Sequence, residues 1–243
     1  IRDRKILAKR IKTLLDQYGV PEFLNKRDAF LFKMYQAFGH HFDFIAIPII
    51  KKRLRMDTSQ VIINEERPQL TKHLATRFKE KIGQNVNLLG EVVLGNEEAD
   101  HRYHHYLEAL ESPDINYISV KISGIYAQTH ALNYEESFPE LVSRMSALYQ
   151  KAIDFPYTDE DGIKRSKFIN LDMEEYKDAH FTLRLFKAVL NLPQFKNYSA
   201  GIVVQAYLPD AYDFQTELLE FAKARIDGGG APIKIRLVKG CNL

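Results

Sequence analysis

Five short apolar runs in the second part of the chain each carry one polar or charged residue at or near their C-terminal end. The runs are NVNLLGE, INYISVKIS, FINLDMEE, GIVVQAY and PIKIRLVKG, and the residues are Glu91, Lys121, Asp172, Gln205 and Arg236. Apolar runs without alternation are typical of strands buried on both faces, as in a parallel sheet. Because parallel α/β barrels keep their chemistry at the C-terminal ends of their strands, the pattern predicts one wall of an active site.

The spacing of these residues fits a repeated strand–helix unit. Successive positions lie about 30 residues apart, the usual length of a βα repeat, except between Lys121 and Asp172. That longer interval contains FPYTDEDGIKRS, a polar, turn-rich insertion at 155–166. Helical patterns separate the runs, at 96–111 with Asn96 as the cap, at 137–155, at 174–192 and at 210–226.

The sequence before the first strand has only helical patterns, at 4–18, 29–38, 42–54 and 66–82. We therefore predict an α/β chain with a helical arm at 1–83 and a partial (βα)8 TIM-type barrel at 84–243. Only about the first five βα units are expected, so the chain is interpreted as a fragment. A Rossmann-like sheet is disfavoured because no G-x-G-x-x-G turn follows the first strand.

Composition excludes several other classes of protein. A net charge of +2 does not favour nucleic acid, and the longest apolar stretch, 44–50, is too short to span a bilayer. One cysteine, Cys241, excludes an internal disulfide framework. The basic run KKRLR at 51–55 is interpreted as a solvated helix end, and His101 with His105 as a solvated helix face, so we predict no metal site.

The chemistry of the strand residues leaves alternatives open. Arg236 lies in a buried strand, so it must pair with an acid or face an anionic or electron-accepting ligand. Lys121 either pairs with Asp172 or Glu91 or acts catalytically, for example as a Schiff-base nucleophile. Gln205 suits the edge of a heterocycle. Glu174 and Glu175, after Asp172, are expected to begin the next helix.

In this order and spacing, the segments NLLGE, SVKIS, NLDMEE, VVQAY and IRLVKG resemble the proline dehydrogenase domain of the bifunctional proline utilization A family. The resemblance covers about 85–243 and, more loosely, the helical arm. It implies a bacterial flavoprotein barrel that oxidises L-proline to pyrroline-5-carboxylate. Hydride passes to N5 of FAD, and the electrons pass on to a membrane quinone.

The resemblance also implies roles for individual residues. Asp172 and Arg236 are expected to be catalytic, and Lys121 and Glu91 to bind substrate. The expected flavin contacts are Met173, Gln205, Arg236, Val238, Lys239 and Gly240. One departure is the pair Cys241-Asn242, because better-known members have Ala-Tyr after this Lys-Gly.

Further expectations concern partners and location. The resemblance implies a cytoplasmic enzyme, with peripheral contact to the inner membrane as an open alternative, no nucleic-acid partner, and a downstream glutamate-semialdehyde dehydrogenase module that uses NAD. The arginines that clamp the proline carboxylate in this family belong to the last barrel helix. We therefore expect residues 1–243 alone to be inactive and to hold FAD weakly. The alternative functions are a Schiff-base lyase using Lys121 and a DNA-binding helical arm.

Overall fold

The computed structural model describes residues 4–22, 24–38, 43–58, 67–88, 95–127 and 133–239. The chain divides by its internal contacts into two compact units, Ile1–Leu70 and Thr71–Leu243. The boundary predicted at residue 83 was drawn from sequence pattern, and it stays a prediction. The strands that carry the predicted site all belong to the second unit.

The first unit contains three of the predicted helices. These are α1 at Arg4–Tyr18, α2 at Lys26–Phe38 and α3 at Asp43–Thr58. Their buried contacts involve Ala8, Leu15, Tyr35 and Ile47. Helix α2 begins three residues before the predicted start because the Asn25 side chain accepts a hydrogen bond from the Asp28 backbone N–H at 2.9 Å.

The second unit alternates strands and helices along the chain. Along the chain, helix α4 at Arg67–Lys79 begins in the first unit and ends in the second. The elements that follow are β1 at Val86–Asn87, α5 at Asn96–Glu111, β2 at Tyr117–Lys121, α6 at Tyr134–Asp154, β3 at Tyr157–Thr158, β4 at Lys164–Arg165, β5 at Phe168–Asp172, α7 at Ala179–Leu190, β6 at Gly201–Gln205, α8 at Ala211–Asp227 and β7 at Lys234–Val238. Within the described ranges, β1, β2, β5, β6 and β7 form a parallel sheet in that order. Strands β3 and β4 form an antiparallel hairpin inside the predicted insertion. The sheet confirms the predicted α/β class with helices between parallel strands.

The strands of this sheet do alternate, contrary to the sequence interpretation. Alternate residues of β2, β5 and β6 are aliphatic and fully buried, among them Ile118, Leu171 and Ile202. The residues between them include Ser119 and Asn170, which are polar and also fully buried. One face is therefore apolar and the other, here called the interior face, is largely polar. The alternation was not predicted, because strands buried on both faces were expected to carry apolar residues on both.

Helix α5 begins at Asn96 as predicted, whereas α6 begins at Tyr134, three residues before its predicted start, and α7 begins later than predicted. The N-cap of α5 is Gly95 rather than Asn96, and no side chain caps this end. Helix α7 begins at Ala179 rather than at Glu174, after a short 3-10 turn at Tyr176–Asp178. Glu174 is therefore available for contacts with another strand end, as described below.

Arg225 ties together the connections that follow α7 and α8. Its guanidinium donates to five backbone carbonyl oxygens in the described part of the chain. They belong to Leu190, Phe195, Lys196, Tyr198 and Ala231. Gly229, with φ +75°, makes the turn that brings Ala231 back to this side chain. Burial lowers the pKa of Arg225, and helix-end carbonyls compensate its charge in place of a carboxylate.

We predict that Arg225→Lys destabilises the protein by about 2–4 kcal/mol, because an ammonium cannot satisfy several diverging carbonyl groups. The measurement is urea unfolding, with Lys223→Ala on the exposed face of the same helix as the control. Equal unfolding midpoints for the two variants would contradict this role of Arg225.

Lys167 gives the stability a specific pH dependence. Its side chain is 2% exposed, and its ammonium donates to the carbonyl oxygen of Ser112, which caps the C-terminal end of α5. Burial lowers the pKa of Lys167 to about 8, below the value of about 10.4 expected in the unfolded chain. Below pH 8 both states bind the proton, and folding then includes the cost of burying the charge.

Stability should therefore rise with pH between the two pKa values, because the unfolded state there binds more protons than the folded state. Relative to Lys167→Met, we expect the wild-type protein to gain on the order of 1–3 kcal/mol between about pH 7 and about pH 10. Urea titrations of both proteins at the two pH values measure this difference. A difference that stays constant would show that Lys167 keeps an ordinary pKa.

Candidate active site on the interior face

The Asp172 carboxylate is the centre of a hydrogen-bond network on the interior face. It lies at the end of β5, and its Oδ1 accepts bonds from Ser119 Oγ at 3.1 Å and Asn170 Nδ2 at 2.8 Å. Arg236 Nη2 donates to the same oxygen at 2.6 Å. Asn87 Nδ2, from β1, lies 3.5 Å from Oδ2. The network joins β1, β2, β5 and β7 around one negative charge.

Arg236 reaches Asp172 across an intervening strand. Arg236 is in register with Val203, and Asn170 is in register with Gly201, which sets Asp172 level with Val203. The guanidinium therefore passes over β6 at the level of Val203 to reach the carboxylate. The Arg236 side chain is 37% exposed and that of Asp172 is 10% exposed, so the cation keeps one open side.

This ion pair identifies the partner of Arg236 and excludes one of the alternatives for Lys121, while the other possible partner of Lys121, Glu91, lies outside the described residues. Asp172 pairs with Arg236, and in the described part of the chain the Lys121 ammonium has no hydrogen-bond or ion-pair partner, although Lys121 is in register with Asp172. The structural pairing of Lys121 with Asp172 is therefore not formed. Arg236 also lies in the middle of β7, two residues before the strand end, whereas Lys121 and Asp172 are the last residues of their strands.

The other predicted site residues lie around the same strand ends. Met173 is buried directly after Asp172, and Val238 ends β7 with its carbonyl accepting the Ala206 N–H at 2.9 Å. Lys239 is exposed. Glu91 and Gly240 lie outside the described residues, as do Cys241 and Asn242, so their predicted roles stay predictions.

Glu174 holds neighbouring strand ends together, which the sequence analysis did not anticipate. Its carboxylate accepts bonds from both the backbone N–H and the hydroxyl of Ser123, at 3.0 Å and 2.7 Å. Its carbonyl oxygen accepts a bond from Gln205 Nε2 at 3.0 Å. This fixes the orientation of the Gln205 amide and leaves its carbonyl oxygen as the acceptor for a ligand. The turn at Ser123 and Gly124, just after β2, could have indicated this contact in the sequence, because backbone N–H groups in turns bind carboxylates.

Aromatic residues close the interior face below the ion pair. The rings of Tyr117 and Phe168 pack edge to face with centroids 5.0 Å apart, and the Lys234 ammonium lies 5.3 Å from the Tyr117 ring centroid. Burial raises the pKa of the Tyr117 phenol, and the positive charge of Arg236 opposes that rise. The phenol therefore stays protonated beside the guanidinium. These rings line the end of the interior face where β2 and β5 begin, opposite to the end that carries Lys121 and Asp172.

The donor set favours a ligand that carries or gains negative charge. Arg236 is fixed by Asp172 on one edge, its Nε is buried without a hydrogen-bond partner among the described residues, and Lys121 is unpaired there. Fixed cations of this kind stabilise charge that develops during a reaction. The Gln205 amide oxygen adds an acceptor for an N–H group.

Neither a metal site nor a membrane span is found in the described ranges. No group of three or more His, Cys, Asp or Glu side chains there could hold a metal ion. The rings of His101 and His105 lie in contact, tilted by 42° with centroids 4.4 Å apart. None of the helices seen in those ranges is both long and apolar enough to cross a bilayer.

Gly201 makes room for the network, and this gives a test of the packing. A Cβ at Gly201 would lie 2.7 Å from Asn170 Oδ1 and 2.9 Å from a Phe168 ring carbon. We predict that Gly201→Ala destabilises the protein by about 1–3 kcal/mol through overpacking. Gly83→Ala is the control, since a Cβ there meets no atom within 4 Å. Urea unfolding measures both, and a neutral Gly201→Ala would show that β6 can move away from β5.

Several known proteins are similar to this chain in sequence or in fold. A sequence profile of the family described as proline dehydrogenase matches residues 70–243. The structure of proline utilization A from Corynebacterium freiburgense is 35% identical with a TM-score of 0.70, over 100% of this chain and 21% of that one. Proline utilization A from Bdellovibrio bacteriovorus, inactivated by N-propargylglycine, is 24% identical with a TM-score of 0.66, over 99% of this chain and 29% of that one.

The two structures carry different weight. The second likeness, below 25% identity, concerns the fold alone. This chain spans about a fifth of the Corynebacterium protein. Among curated protein sequences, none matches this chain at a significant level. The profile match covers most of the chain and includes the whole sheet, which confirms the resemblance drawn from the five strand segments. The chain belongs to the proline dehydrogenase family.

Proposed function

We propose that the interior face forms part of the active site of an FAD-dependent proline dehydrogenase, which oxidises L-proline to pyrroline-5-carboxylate and passes the electrons to a quinone. The observation that carries this proposal is the Arg236 cation held by Asp172 inside the segment that matches the family. A fixed cation with one open side suits a reaction in which an acceptor gains negative charge.

The residues present fit a flavin. A half-open guanidinium with an unpaired buried Nε and an amide oxygen held in place at Gln205 match the anionic and N–H edges of such a ring. When bound, FAD supplies a hydride acceptor for the carbon next to the proline nitrogen. The residues proposed to hold it are Met173, Gln205, Arg236, Val238, Lys239 and Gly240.

Each of the chain's own charged groups has a distinct task in this proposal. Arg236 stabilises the negative charge that the acceptor gains as it takes hydride from the substrate, and Asp172 keeps the guanidinium in place. Lys121, which has no competing partner among the described residues, attracts the carboxylate of proline. Met173, buried beside Asp172, excludes water from this pair. Glu91 is proposed to orient a substrate-binding arginine.

Other parts of the proposal concern regions beyond these strands. A downstream module that uses NAD, the reaction with quinone, a cytoplasmic location and peripheral contact with the inner membrane are all carried over from the family resemblance. So is the expectation that residues 1–243 alone turn over no proline, because the carboxylate-clamping arginines of the family belong to the last barrel helix.

The first test is the visible absorption spectrum of the purified full-length protein, in which we expect the remaining barrel strands and helices to follow residues 1–243, before and after addition of L-proline. We expect a flavin band that bleaches with proline. A flavin band that proline leaves unchanged would reject the substrate, and the lack of any flavin band would reject the cofactor.

Replacement of the cation should then slow the bleaching. We expect Arg236→Met to reduce the rate of flavin reduction by about 10²–10³-fold, the usual effect of removing a group that stabilises developing charge. Arg184→Met is the matched control, because Arg184 also pairs with a carboxylate, that of Glu135, but on the exposed surface of α7. Equal rates for the two variants would exclude Arg236 from the reaction.

A further inference from the structure

The interior face is polar at a level where barrels are usually filled by branched apolar side chains. Ser119 and Asn170, both at 0% exposure, occupy the positions beside Asp172. Buried polar side chains of this kind cost stability unless their hydrogen bonds are made. Their position therefore calls for a reason beyond packing.

The Ser119 hydroxyl has a fixed direction. Its Oγ accepts a bond from Asn85 Nδ2 at 2.9 Å and lies 3.1 Å from Asp172 Oδ1. Since the amide supplies the proton of the first bond, the serine proton is directed toward the carboxylate. Asn85 thereby orients Ser119, and Ser119 in turn orients Asp172.

Asn170 is held in a costly arrangement. Its Nδ2 donates to Asp172 Oδ1 at 2.8 Å, while its own carbonyl oxygen is buried without a hydrogen-bond partner in the described part of the chain. Rotating the amide by half a turn would set that oxygen against the carboxylate, which is repulsive. An unsatisfied buried acceptor lowers the stability of the folded state. Asn170 therefore destabilises the fold through its unpaired carbonyl oxygen, while its Nδ2 donates a hydrogen bond to Asp172.

These bonds select one oxygen of the carboxylate. Oδ1 receives Ser119, Asn170 and Arg236, whereas Oδ2 has only the 3.5 Å contact with Asn87 among the described residues. The carboxylate therefore cannot rotate without losing bonds on one side. The position of Oδ1 in turn sets where the Arg236 guanidinium ends its reach across β6.

We propose that Ser119 and Asn170 are positioning residues, which fix the Asp172 carboxylate in the one orientation that holds the Arg236 guanidinium across Val203. This role rests on the proposed function only in what Arg236 then does, which is to stabilise charge on the acceptor. The positioning itself is a property of the side chains described above.

The first variant is Ser119→Ala, with Ser146→Ala as its matched control. Ser146 also has a buried hydroxyl, but that hydroxyl has no hydrogen-bond partner among the described residues, and Ser146 lies on helix α6 rather than on the interior face. We expect Ser119→Ala to lower kcat for proline about 10-fold or more with KM unchanged, because a misplaced group loses transition-state stabilisation. The midpoint potential of the bound flavin should fall as well, since the cation near it is less well held. Ser146→Ala should alter neither value.

The second variant, Asn170→Leu, separates positioning from stability. It removes the unsatisfied buried carbonyl and also a donor to Asp172, and since these two changes have opposite effects on stability, we expect little change in the unfolding temperature while kcat and the flavin potential fall. If both variants keep the kcat and flavin potential of the Ser146→Ala control, the proposal is wrong. It is equally wrong if activity falls only in proportion to lost stability.

A separate measurement distinguishes failure of this proposal from failure of the proposed function. The wild-type spectrum with proline tests the function alone. A double-mutant cycle of Ser119→Ala and Arg236→Met, followed by urea unfolding, tests the positioning without any cofactor. We expect the two changes to be non-additive, because the hydroxyl acts on Arg236 through Asp172. Additive effects would overturn the proposal even if proline bleaches the flavin.

Discussion

A carboxylate at the centre of the sheet can be accommodated only when donors surround it, because removing an ionised group from water costs several kcal/mol. Asp172 meets this condition through Ser119, Asn170 and Arg236, all on one of its oxygens. The rest of the interior face follows from that requirement. Its neighbours must be polar, and β6 must carry Gly201 beside Asn170, where any larger residue would collide with it.

The sequence alone predicted where the strands lie and that Lys121 and Asp172 share the C-terminal ends of two of them, because apolar runs and βα spacing are local signals. It did not reveal the alternation of β2 and β5, because a strand buried on both faces was expected to be apolar throughout. Ser119 and Asn170 can be buried because they make hydrogen bonds with residues of other strands or with Asp172, and those bonds cannot be seen in the sequence. The pairing of Asp172 with Arg236 rather than Lys121 depends on strand register and on side-chain reach across β6. Neither quantity can be read from a single strand. The helix start at Glu174 failed for a similar reason, because a distant Ser123 competes for its carboxylate.

Stability and chemistry are placed at opposite ends of the strands. At the N-terminal end, Lys167 and Arg225 donate to backbone carbonyls that cap helices and connecting turns. At the C-terminal end, Arg236 pairs with Asp172 and keeps an open side, and Lys121 has no partner among the described residues. The cations at the N-terminal end donate to groups of the protein, whereas those at the C-terminal end keep donors that a ligand can use. This distribution fits a parallel α/β sheet whose active site lies at the C-terminal ends of its strands.

The order of the strands has a consequence for how the protein is made. Each parallel strand pairs with the one that precedes it in the sheet, and apart from the β3–β4 hairpin this is also the order of synthesis. A strand leaving the ribosome therefore meets an edge that is already formed. Assembly can proceed from β1 toward β7 one strand at a time, and each newly added strand is the exposed edge of the sheet until the next one pairs with it.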